Sequence, residues 1–241
     1  MMRRVVTLGL FLTRNLFRTW LGVLPPVLTL LIYRLTFTYR DQGDPDYFTA
    51  VGGLGLSFVC VITALLVADR ANRAAMYSLV ARLPRRMEFL AAVVVSTVLI
   101  MLAMAGLYTG LVLGLQHMTM MPIQLLLVAP RWLILFIFVA TLGLMMSNLA
   151  SRGGSHIIVF TILGLMALSR DQLRYLNDGE SSPLIAGIEL VIRPVTDLLT
   201  RSLEINPAQV LPALAMTVMY AVVLFALATG LFQRKDLLWA E

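Results

Sequence analysis

Apolar residues fall in long blocks along this chain, and short polar stretches separate them. A membrane-spanning helix needs about 20 mostly apolar residues, and six blocks meet or approach that length. The first covers about 21–37, with Pro25-Pro26 near its start, and the second covers about 49–68. The second opens on small residues, Gly52, Gly53, Gly55 and Ser57. The third covers about 89–115, and the fourth, 122–149, is longer than one span requires and is broken by Pro130 and Arg131. The fifth, about 156–168, is short, and the sixth covers about 208–232. Polar turns fall at 41–46 and 116–121, and the tail is 233–241. The pattern predicts an all-α integral membrane protein with six transmembrane helices in a single domain over 1–241.

Three polar interruptions carry structure of their own. In the first, residues 69–86, Met76, Leu79, Val80 and Leu83 recur at i, i+3, i+4 and i+7, which is one helical face. Pro84 stops that helix, because proline disfavours helical geometry in the residue before it. Arg70, Arg73, Arg82, Arg85 and Arg86 make the stretch strongly basic. The second is the N-terminal stretch 1–20. Arg4, Thr7, Arg14 and Arg18 fall on one helical face, and Leu8, Leu12, Leu16 and Trp20 line another. This predicts an amphipathic helix lying in the membrane interface. The stretch imitates a signal peptide, but it lacks a small-x-small cleavage site, so it reads as retained. The third is 169–207. Its apolar pieces at 184–193 and 195–203 are each too short to span. They read as two short helices partly embedded in the outer leaflet and hinged at Pro194, or as a solvated amphipathic loop.

Composition sharpens this picture. Of 241 residues, 59% are hydrophobic and 13% charged, and mean hydropathy is +0.87; a soluble domain carries roughly a quarter charged residues. The net charge of +6 is scattered between apolar blocks, which points to membrane topology and not to nucleic acid. With the N-terminus inside, the inner side holds twelve of the nineteen basic residues and four of the thirteen acids, a net of +8. The outer side holds the other seven basic residues with nine acids, a net of −2. Basic residues favour the cytoplasmic side, so both termini are expected there, with the chain multi-pass in the plasma (inner) membrane. The one cysteine, Cys60, lies within an apolar block and reads as a packing residue.

Candidate chemistry is sparse. A phosphate-binding loop needs G-x-x-x-x-G-K-[ST], and the only lysine is Lys235 in the tail. Ser57, His117 and His156 do not make a protease, since the topology places the two histidines at opposite membrane faces. No catalytic residue is expected, and no cofactor is expected on this chain. His117, Met118, Met120 and Met121 could form a soft-metal cluster of the kind that suits Cu(I), although methionine is also an ordinary filler of apolar gaps. Gly106, Gly110 and Gly114 form a ridge that allows close helix approach, within this bundle or beyond it. Arg34 and Arg131 lie near the outward span ends, where they can snorkel to headgroups or contribute to a substrate path or outer gate.

Four stretches, marked by F-R-T-W at the end of the N-terminal helix, D-R-A-N-R-A-A-M-Y-S-L after the second block, M-S-N-L-A-S-R-G-G-S at the end of the fourth and F-Q-R-K-D-L at the end of the sixth, together resemble the permeases of ATP-binding-cassette exporters of the type-2 permease family. The N-terminal helix ending F-R-T-W is similar to that family's interfacial elbow helix. The segment V-A-D-R-A-N-R-A-A-M-Y-S-L-V-A-R-L-P-R-R-M-E-F-L is similar to its cytoplasmic coupling helix. L-G-L-M-M-S-N-L-A-S-R-G-G-S is similar to the end of its fourth span, and A-L-A-T-G-L-F-Q-R-K-D-L to its sixth span and basic tail. Family members commonly carry an acid, glycine and threonine soon after the D-R pair. Here Ala71-Asn72-Arg73-Ala74-Ala75 stand there, so the helix is more basic than usual. The resemblance implies short re-entrant helices before the sixth span. It also implies two separate ATPase subunits, carrying ATP and Mg, and a second copy or related permease as partners besides membrane lipid. ATPase coupling would then fall to Arg70, Arg73, Met76, Leu79, Val80, Arg82 and Leu83. The alternative is a non-transporting membrane scaffold or regulatory subunit that recruits a soluble partner.

Overall fold

A computed structural model describes residues 2–37, 45–73, 76, 83, 86–115, 122–149 and 207–233. These residues form helix α1 (Met2–Phe17), a 3₁₀ turn (Trp20–Val23), α2 (Leu24–Phe37), α3 (Pro45–Ala71), α4 (Arg86–Leu115), α5 (Pro122–Met146) and α6 (Pro207–Gln233). Among the described residues, five segments are long and apolar enough to cross a membrane: Trp20–Phe37, Pro45–Ala71, Arg86–Leu115, Ile123–Met146 and Leu211–Gln233. They match the first four apolar blocks and the sixth. The fifth block at 156–168, the segment 169–206 and the His117, Met118, Met120 and Met121 turn lie outside the described residues.

Proline placement explains two helix features. Pro25 and Pro26 sit in the first turn of α2, where a missing N–H leaves no bond unmade and the ring presets the backbone. The Thr29 hydroxyl then donates to the Pro25 carbonyl at 2.9 Å. In contrast to the expected break, α5 runs unbroken through Pro130. Proline there costs one ladder bond. Close packing against α3 holds the helix on course: the Trp132 indole N–H donates to the Thr49 carbonyl at 3.4 Å, and the Cys60 thiol donates to that of Phe136 at 3.6 Å.

Helices α3, α4 and α5 pack on one another and form the core; α1 and α2 lie against α3 and α4, while α6 leans mainly on α5. The peripheral helices leave Val27, Leu31, Leu35, Leu211, Val222 and Leu227 exposed, as suits side chains that meet lipid. Lipid supplies no hydrophobic drive between helices, so close approach depends on small residues. A Cβ on Gly143 would lie 2.6 Å from the Ala64 Cβ, and one on Gly52 would lie 2.7 Å from the Tyr108 ring. Several hydroxyls within the spans are satisfied locally, because hydrocarbon offers them no partner. Ser57 donates to the Gly53 carbonyl at 2.7 Å, Thr63 to Val59 at 2.7 Å, Thr97 to Val93 at 3.0 Å and Thr217 to Ala213 at 2.8 Å. Each bond stays within its own helix.

Helix α1 has three faces. Val5, Gly9, Leu12 and Leu16 are buried, and the contacts of Gly9 and Thr13 place this side against α4. Thr13 and Ser96 share a hydroxyl hydrogen bond of 2.9 Å, and a Cβ on Gly9 would meet Val95 Cγ1 at 3.0 Å. Val6, Leu10 and Phe17 form an exposed apolar side. Arg3, Arg4, Arg14 and Arg18 are exposed as well. The amphipathic helix is present, but Leu12 and Leu16 face protein, and Trp20 stands apart from them at 78% exposure. Gly9→Leu should therefore lever α1 off α4. Disulfide formation between Thr13→Cys and Ser96→Cys is expected to fall several-fold when Gly9→Leu is added, as read on non-reducing gels.

Candidate functional site

Aromatic rings gather at one end of the bundle. Phe48 of α3 stacks on Tyr108 of α4 with centroids 5.7 Å apart, and Trp132 of α5 lies 5.3 Å from Phe48. Phe37 of α2 lies 6.2 Å from Tyr108 and meets Tyr47 edge-on at 5.8 Å. The Tyr47 hydroxyl donates to the Thr36 carbonyl at 3.1 Å. Four helices thus close on one another through a plug of rings, each pair adding about 0.5–1.5 kcal/mol beyond burial.

The two arginines expected at this end differ in setting. Arg34 is exposed on α2. Arg131 lies between Pro130 and the plug residue Trp132 and is only 2% exposed, with the Asp46 carboxylate acting on it electrostatically. An arginine at mid-membrane costs about 2.5–3.5 kcal/mol on insertion scales, and a nearby carboxylate lowers that cost. The Tyr108 hydroxyl is buried beside the Thr36 side chain and makes no well-formed hydrogen bond among the described residues. A buried unpaired hydroxyl costs about 1–3 kcal/mol. Tyr108→Phe is therefore expected to leave the melting temperature unchanged or raise it, as measured by scanning fluorimetry in detergent.

The other end carries the arginine-rich link. Counting down from the Phe48–Tyr108 stack, Arg70 is 22 residues along α3 and Glu88 is 20 residues back along α4. At 1.5 Å per residue both lie about 30–33 Å below the rings, at one level. Asn72 closes α3 by donating its main-chain N–H to the carbonyls of Ala68 at 2.9 Å and Asp69 at 3.2 Å. One turn on, the Met76 N–H donates to the Arg73 carbonyl at 2.8 Å. Arg73 is exposed, and Arg70 is half-buried with its Nε lacking a hydrogen-bond partner among the described residues. Met76 and Leu83 are half-buried and pack against the chain's own core. Leu79, Val80 and Arg82 lie outside the described residues.

One residue at this end was not singled out from the pattern. Glu88, in the first turn of α4, is 4% exposed, and its Oε2 has no hydrogen-bond partner among the described residues. The available signal was a lone acid opening an apolar block of some 27 residues, about 89–115. The glycine ridge has a different outcome: nothing lies within 4 Å of a Cβ placed on Gly106, Gly110 or Gly114. That side of α4 has no close neighbour among the described residues.

Five apolar helices around a packed core define a multi-pass α-helical membrane protein. No protein-family model, curated protein or solved structure matches the chain.

Proposed function

We propose that the chain is the membrane-spanning permease subunit of an ATP-driven exporter of the type-2 cassette class. The observation that carries this reading is the basic link between α3 and α4. Met76 and Leu83 anchor it to the bundle, and Arg73 projects outward, in a chain whose sequence has no phosphate-binding loop of its own. Two separate ATPase subunits, holding ATP and Mg, grip this link in the cytoplasm at residues 69–86. Their closure biases an equilibrium between inward and outward exposure of a central path. The aromatic end is then the outward end, with Arg131 and Arg34 on the path or its outer gate. The lateral contact of α1 with α4 is in keeping with an interfacial elbow helix at the cytoplasmic boundary. The open ridge of Gly106, Gly110 and Gly114 is the surface offered to a second copy or a related permease. In this orientation both termini face the cytoplasm and the protein resides in the plasma (inner) membrane.

The test is affinity purification of the tagged chain in gentle detergent, followed by ATPase assay of the purified assembly in vesicles. Recovery of a cassette ATPase whose turnover rises with cargo supports the reading. A partner bound without ATP dependence and without cargo-stimulated turnover would instead indicate a membrane scaffold or regulatory subunit.

A further inference from the structure

Between α4, α5 and α6 lies a groove of about 430 Å³, walled by Ala91, Val95, Val98, Ile137, Val222 and Phe225 among others. Its polar lining residue, Thr141, commits its hydroxyl to the Phe138 carbonyl at 2.6 Å. The walls therefore offer hydrocarbon alone. Glu88 stands on the same face of α4 as this wall, since Ala91 follows at i+3, Val95 at i+7 and Leu99 at i+11. It lies about one turn beyond the groove's end. Glu88 as a residue is 4% exposed, and its Oε2 is buried and unpartnered among the described residues.

A buried carboxylate without a partner is costly, and a cationic donor is what relieves that cost. An alkyl chain is what fills an apolar groove inside a bilayer. From Glu88 to Leu99 the face extends about 16 Å, close to the roughly 15 Å depth of one leaflet. We infer that this groove binds an amphiphile with a primary ammonium head, the head at Glu88 and the chain against Ala91, Val95 and Val98. This chemistry can come from an ethanolamine phospholipid or from a free long-chain amine. The site stands apart from the permease reading, because it needs no ATPase and no transport.

Native mass spectrometry of the full chain, released from a neutral detergent, tests it. Dodecylammonium should bind saturably with one-to-one stoichiometry, and dodecyl sulfate should not. Glu88→Gln should weaken dodecylammonium binding about tenfold or more, the loss expected for one charged hydrogen bond. Val222→Trp, on the exposed side of the groove, should abolish binding while the melting temperature is held. Displacement of dodecylammonium by phosphatidylethanolamine but not phosphatidylglycerol identifies the lipid as the source, and displacement by neither identifies a free amine. Equal binding of dodecyl sulfate and dodecylammonium, or unchanged affinity in Glu88→Gln, overturns the assignment.

Discussion

Gly143→Val is expected to be among the most destabilising single substitutions in the described bundle. The added Cβ would sit 2.6 Å from the Ala64 Cβ, an atom fixed to the backbone of α3 that cannot rotate away. The helices must separate instead, and overpacking of this kind costs about 1–3 kcal/mol. A fall in melting temperature on the order of 5 °C is expected in detergent, with loss of monodispersity on size exclusion. Ala64→Gly in the Gly143→Val background removes the opposing atom and should restore most of the loss, since contacting sites couple. If the single variant melts with the parent, α3 and α5 do not approach as closely as described.

The second large effect concerns the basic link. Reversing Arg73 and Arg82 together to glutamate should reduce recovery of the ATPase and its coupled turnover at least about tenfold, because like charges across an interface cost more than a lost contact. Insertion and melting temperature should stay near the parent, since Arg73 is already exposed. Met76→Ala should behave in the opposite way: its side chain packs on the core, so stability falls before coupling does. Coupled turnover that survives the double reversal would remove this link from the interface.

Much of the fold was legible in the sequence because membrane helices announce themselves by length and hydropathy. The first span, expected from about residue 21 to 37, is a 3₁₀ turn at Trp20–Val23 followed by α2 to Phe37, and the expected end of the third span at Leu115 is the observed end of α4. Pro130 misled, since a proline removes a local bond but does not reveal the packing at Trp132 and Phe136 across which α5 continues unbroken. The α1 stripe was half legible. Periodicity found Leu12 and Leu16 on one face, yet a periodic apolar face reads the same whether it meets lipid or protein. Only a tertiary neighbour such as Ser96 distinguishes the two. Tyr108, Trp132 and Phe48 are 84 positions apart at the extremes, and no local pattern brings such residues together. Glu88 was hidden for a related reason, because a single acid at a helix start is ordinary until its burial is known.

The distribution of cross-helix ties has a mechanical consequence. Tyr47 ties α3 to α2 and Trp132 ties α5 to α3 through main-chain carbonyls, both within the ring-rich end. Further along, the ties between helices are the long Cys60 thiol bond to the Phe136 carbonyl and the Ser96–Thr13 bond of α4 to α1, while Ser57, Thr63, Thr97 and Thr217 bond within their own helices and lose nothing when one helix rotates against another. The bundle is jointed like a pair of tongs, with the fulcrum at the rings. A tilt of about 5° at that fulcrum, carried over roughly 30 Å of helix, displaces the arginine-bearing tips by about 3 Å.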